Sequence, residues 1–200
     1  MPLPLLWIGG VAVGALALAD ARESRRNLQR ERLLGRTELE HKGRAAVLHP
    51  STWQTGGSTS VPKPGALMCC YVYGVIEHTG IYLGDGQIAE LHGSGLIRAV
   101  SANRFLHGRT GSQIFVAADA RHQCLAVEDA AKRGADALFQ YRDYDLLGNN
   151  CHRFVWYCIS GEDREVGGFS ELNELVARFY GKALYWDEAR WERRCFAPDA

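Results

Sequence analysis

The chain lacks any excess of charge: 23 Lys and Arg face 23 Asp and Glu over 200 residues, a formal net charge of zero. It also lacks the concentrated basic face of a nucleic-acid binder, so no nucleic-acid partner is expected. The imbalance that exists lies along the chain. Residues 1–61 hold eight Lys/Arg against five Asp/Glu, and the remainder holds fifteen against eighteen. Six cysteines stand at 69, 70, 124, 151, 158 and 195, but no CxxC pair is found among them. That argues against a zinc site or a secreted disulfide framework and favours a reducing compartment with mostly buried, inert thiols. His41, His49, His107, His122 and His152 show no ligand spacing, so no metal is expected. Ser94 and Ser160 lack the Gly-x-Ser-x-Gly setting of a serine nucleophile. No internal repeat is visible.

What is present is an ordinary globular balance of 46% hydrophobic and 23% charged residues, enough to bury a core without disulfide staples. The length fits one domain with an extra arm. From Leu3 to Ala19 the chain carries no charge, and these seventeen residues reach the short limit for spanning a hydrocarbon core. Arg22, Arg25, Arg26, Arg30 and Arg32 follow at once, while only the amino terminus is basic before. The positive-inside rule therefore makes residues 1–20 a single-pass transmembrane anchor with the rest of the chain in the cytoplasm. The rival is a cleaved signal peptide, for which Ala17-Leu18-Ala19 has the small-x-small pattern. A buried helix is the remaining reading. Residues 21–60 read as a charged juxtamembrane helix, whose arginines suit anionic head groups, followed by the linker Gly56-Gly57-Ser58-Thr59-Ser60.

From Val61 the pattern turns strand-like. Ala66–Ile76 is an apolar run rich in β-formers. His78–Leu83 and Gln87–Leu91 flank Gly84-Asp85-Gly86, a strong hairpin signal because the turn needs positive φ. Leu96–Val100 and Gln113–Ala117 supply further strands, so an antiparallel sheet is expected. Ala126–Tyr141 and Cys151–Ile159 have helical spacing, the second ending at Gly161. Strands first and helices after indicate an α+β fold.

Cys151 is the cysteine with a reactive setting. Asn149 or Asn150 caps the following apolar run, which puts Cys151 in the first turn of a helix. Orphan N–H groups and the helix dipole there lower a thiol's pKa, and the same amides suit an oxyanion. His78 begins the hairpin's first strand. Cys–His chemistry needs a base beside the thiol and a third group to orient that base. Across an Asp-Gly turn the residue opposite His78 falls near position 91. Alternation of faces then allows Glu90 or His92, but not Leu91, to reach the imidazole.

At this point the sequence resembles a known family. HTGIYLGDGQIAEL is similar to the first block of the lecithin:retinol acyltransferase-like (LRAT) and small phospholipase/acyltransferase proteins. NNCHRFVWYCISG is similar to their Asn-Cys-Glu-His-Phe-Val block, and Lys63-Pro64-Gly65-Ala66-Leu67 to their Lys-Pro-Gly-Asp-Leu lead-in. The three blocks come in family order and span about residues 61–161. The resemblance implies a circularly permuted papain-like fold of the NlpC type, with Cys151 as nucleophile and His78 as base. The family's third position, usually a second histidine, falls on Glu90, with His92 as fallback; a carboxylate there can accept the imidazole N–H. His152-Arg153 replaces the family's Glu-His and is read as shaping access or substrate charge, with no catalytic role. The implied reaction is a double displacement through an acyl-thioester on Cys151, the donor being a phospholipid or related acyl ester and the acceptor water, an alcohol or an amine. No cofactor is required.

Residues 61–165 are thus expected to form the LRAT-like catalytic domain and 166–200 an amphipathic C-terminal helical extension. That extension packs on the domain or lies at a membrane interface. Two alternatives stand beside the lipid enzyme: an NlpC-type cysteine peptidase or amidase, and a non-catalytic membrane-associated scaffold. The sequence is silent on oligomeric state.

Overall fold

A computed structural model describes residues 58–72, 76–109, 113–145 and 150–191. The anchor expected at 1–20 and nearly all of the charged segment expected at 21–60 lie outside the described residues. Among the described residues no helix is long and apolar enough to cross a membrane.

The strands are β1 Thr59–Ser60, β2 Leu67–Val72, β3 Ile76–Gly84, β4 Gln87–Leu91, β5 Ile97–Ser101, β6 Phe115–Ala118 and β7 Tyr185–Ala189. The helices are α1 Ala102–Leu106, α2 Glu128–Asp136, α3 Cys151–Ser160 and α4 Phe169–Tyr180. The fold is α+β, as its strand and helix patterning leads one to expect. Its seven described strands form one sheet in the order β1-β7-β6-β2-β3-β4-β5. The expectation of a purely antiparallel sheet is corrected: β1 runs parallel to β7, so the sheet is mixed. These two strands lie far apart in sequence, with no hairpin to force opposite directions. β1 is only Thr59-Ser60, residues whose small polar character had read as linker.

Alternation along each strand divides the core. Leu67, Cys69, Ile81, Ala89 and Leu91 pack on one face with Phe154, Val155, Leu172 and Trp186. Met68, Cys70, Tyr82, Ile88 and Val100 pack on the other with Phe105 of α1. This period of two is what a sheet covered on both faces requires.

The C-terminal segment continues the sheet. Helix α4 buries Phe169, Leu172 and Val176 and stops at Gly181, whose φ of +61° is a left-handed helix ending. The chain then returns as β7 to pair with β6, where a helix-rich tail had been expected. The buried Trp186 of β7 donates its Nε1–H to Asn173 Oδ1 of α4 at 3.0 Å. On the same strand Asp187 accepts from His122 Nδ1 at 3.1 Å, and His122 Nε2 lies 3.2 Å from Ser58 Oγ, so one imidazole joins the entry of β1 to β7.

Candidate active site

The helix carrying Cys151 starts where its cap predicts. Asn150 is extended, and its Oδ1 accepts from the N–H groups of His152 (2.9 Å) and Arg153 (3.1 Å). Its Nδ2 donates to Val166 O at 3.0 Å, anchoring the cap to the segment before α4. The cap therefore takes two of the amides expected to be available to an oxyanion. Phe154 N–H bonds Asn150 O, and Cys151's own N–H is the first-turn amide these bonds do not use. At the other end Gly161 adopts φ +80°, and Arg133 of α2 donates to the carbonyls of Cys158 and Ile159 at 2.6 and 3.0 Å. Both helix ends are thus satisfied, which holds Cys151 in place.

The hairpin supplies the other half. Asp85 and Gly86 sit at positive φ, as an Asp-Gly turn demands. The ladder pairs Ile81 with Ala89 and Tyr82 with Ile88, then shifts before Gly84. Continued inward, it sets Gly80 opposite Glu90 and makes His78 the diagonal neighbour of Glu90 on one face. Gly80 keeps that diagonal open. A Cβ there would lie 2.6 Å from Ile88 Cγ2, 2.8 Å from Ala89 O and 3.0 Å from Phe105 Cε2. Phe105 uses the space and packs its ring 5.2 Å from that of His78.

His78 Nε2 donates to Glu90 Oε2 at 2.8 Å. Of the alternatives Glu90 and His92, the structure joins Glu90 to His78. His92 turns to Ser94, with Nδ1 2.9 Å from Ser94 Oγ. Glu90 is wholly buried and holds two further cations: Arg98 reaches Oε1 at 2.8 Å and Arg109 Nη2 reaches Oε2 at 2.8 Å. A buried carboxylate needs such partners. Burial pushes its carboxyl up, but His78 and Arg109 together hold it at about 2, well below the usual 4.5. Sequence reasoning missed both arginines. Arg98 was within reach of it, because β5 sets Arg98 directly across from Glu90. Arg109 arrives from the loop after α1, which no pattern announces.

Cys151 is 4% exposed. Burial opposes its ionisation, yet the neighbouring imidazoles of His152 and His78, by charge and by hydrogen bonding, bring the thiol well below its ordinary range. With Nε2 committed to Glu90, Nδ1 is the ring nitrogen of His78 left to serve the neighbouring thiol. Burial lowers the affinity of His78 for a proton, but Cys151 and Glu90 outweigh it and leave the imidazole raised. The other described cysteines go the opposite way: desolvation pushes Cys70 and Cys158 to about 12 and raises Cys69 and Cys124. Cys151 is alone among them in being lowered. His152, read from the sequence as shaping access, is a further neighbour of the thiol, with Nδ1 3.8 Å from Cys151 Sγ and 3.1 Å from Thr79 Oγ1.

The chain is similar to an acyltransferase. Human lecithin retinol acyltransferase is 27% identical to it over 170 residues, covering 70% of this chain and 69% of that protein. No family model matches. The similarity supports an LRAT-like relationship and, at that coarse level, an enzyme of acyltransferase type. Among the described residues no group of three or more His, Cys, Asp or Glu side chains is placed to hold a metal ion.

Proposed function

We propose that the chain is a thiol acyltransferase or phospholipase of the LRAT type, with Cys151 as nucleophile, His78 as base and Glu90 orienting that base. The observation carrying this reading is a buried thiol in a helix's first turn, brought down by the neighbouring His78, whose Nε2 in turn donates to a buried carboxylate at 2.8 Å. The thiol proton passes to His78, and Cys151 Sγ attacks the carbonyl carbon of an acyl ester. The C–O bond breaks, the leaving alcohol takes the proton from His78, and an acyl-thioester remains. Water or an acceptor alcohol or amine then gives its proton to His78, attacks the thioester and releases the thiolate. Glu90 keeps the Nε2–H of His78 turned away from the sulfur throughout, the role a carboxylate plays in serine hydrolases.

The order of the pair, His before Cys, fits a permuted papain-like arrangement. The family resemblance makes a membrane phospholipid the acyl donor, and an apolar segment at residues 3–19 would hold the catalytic part beside a cytoplasmic bilayer face.

The test is intact-mass analysis of the full chain after incubation with phosphatidylcholine vesicles, beside Cys151→Ala. A fatty-acyl mass adduct in the native chain, absent from Cys151→Ala, is expected. A folded protein giving neither adduct nor free fatty acid would overturn the phospholipid reading.

A further inference from the structure

His152 has no part in the reaction just described, yet its Nδ1 stands 3.8 Å from the sulfur. Its ring is buried, packed 5.9 Å from Phe169 of α4, and fixed by Thr79 of β3. β3 serves both imidazoles through alternation. His78 points to the face that holds Glu90, while Glu77 and Thr79 point to the opposite face, where α3 lies. Cys151 sits where the two sets meet, so one thiol is flanked by two histidines from two sides.

The charges around Glu90 explain why a second imidazole has work to do. Arg98 and Arg109 already neutralise that carboxylate, and the positive charge of Arg109 disfavours a further proton on His78. Glu90 thus orients His78 well but stabilises its imidazolium less than a free carboxylate would. His152 faces a different balance. The Glu77 carboxylate favours its protonated form, as does Cys151, while burial and His78 oppose it. Cys69 and Cys70 of β2 and Tyr144 also face this centre, and burial keeps all three protonated.

We infer that His152 is a second catalytic imidazole that shares its Nδ1–H between Thr79 Oγ1 and Cys151 Sγ and holds the thiolate while His78 carries protons to and from substrate. In the resting centre the thiol gives up one proton: sulfur becomes thiolate, one imidazole becomes imidazolium and the net charge of the group is unchanged. During acylation Sγ shares its electron pair with the carbonyl carbon and the bond to His152 loosens. When the acceptor breaks the thioester the electron pair returns to sulfur, and His152 again donates to it. The division of labour gives proton traffic to the histidine with a carboxylate behind it, and charge stabilisation to the one fixed by Thr79.

The inference rests on Cys151 being the nucleophile, and the test separates the two. Alkylation of Cys151 by iodoacetamide is followed across pH by peptide mass mapping in the full chain and in His152→Gln. The native chain is expected to alkylate with a midpoint well below the ~8.5 of a free thiol. In His152→Gln the rate at pH 6 falls by about tenfold or more, as loss of one hydrogen bond to a charged group requires. An ordinary midpoint in the native chain sinks the nucleophile reading itself. A low midpoint unchanged by His152→Gln overturns the role of His152 alone. If that variant does not fold, the NMR titration of the His152 ring decides, measured in the native chain and in Cys151→Ala. Its midpoint is expected to drop when the thiolate is removed, and an unmoved midpoint overturns the inference.

Discussion

Glu90→Gln keeps the shape of the side chain at the centre of the charge network and removes its charge. The native carboxylate is wholly buried and accepts from His78, Arg98 and Arg109. Against the upward push of burial, His78 and Arg109 hold its carboxyl at about 2, below an ordinary 4.5. A carboxyl depressed by folding stabilises the protein above its unfolded value and loses that contribution as pH falls through the folded one. The contribution is therefore complete above about pH 5.5 and fades down to about pH 2. At roughly 1.4 kcal/mol for each pH unit between the two values, it amounts to about 3 kcal/mol at pH 7 and about 1 kcal/mol at pH 3. Glu90→Gln should cost those amounts, because two guanidiniums are left facing an amide. Urea unfolding of the full chain, followed by tryptophan fluorescence at both pH values, measures it. A penalty of equal size at pH 7 and pH 3 would refute the reasoning, since it would mean that shape and not charge holds the network.

Two further substitutions probe how the site is held. Asn150→Ala removes the acceptor for two first-turn amides and the donor to Val166 O, and should cost about 1–2 kcal/mol; an unfolding midpoint in urea equal to the native one refutes this account of the cap. Gly80→Ala drives a Cβ to 2.6 Å from Ile88 Cγ2 and 3.0 Å from Phe105 Cε2, so it should cost about 1–3 kcal/mol. The same change displaces the ring packed on His78 and should slow acyl-adduct formation; a variant as stable and as fast as the native chain refutes the view that the missing side chain keeps the diagonal open.

The parts of this protein legible in its sequence are those made by local chemistry. Asn150 as cap and Gly161 as stop define α3, because a polar side chain must satisfy the first amides and a residue without Cβ must take positive φ. Asp85-Gly86 defines the β3–β4 turn for the same reason, and alternation along that hairpin limits the partner of His78 to two candidates. Those signals act within a few residues, so they survive without knowledge of the rest of the fold. The register shift before Gly84, one residue of slip that composition does not encode, brings both Glu90 and His92 to the face of His78. The choice between them depended on Arg98 and Arg109 holding Glu90, while β4 ends at Leu91 and His92 turns to Ser94. The parallel β1–β7 pair, the return of the tail as a strand and the arrival of Arg109 depended on residues far apart in sequence. His152 shows the division most plainly. Its adjacency to Cys151 is sequence, but its standing as a neighbour of the sulfur needed Thr79 on β3 and Phe169 on α4, 73 residues before it and 17 after. A buried charge takes its properties from whatever the fold brings beside it, and that is settled only when the sheet and helices close around it.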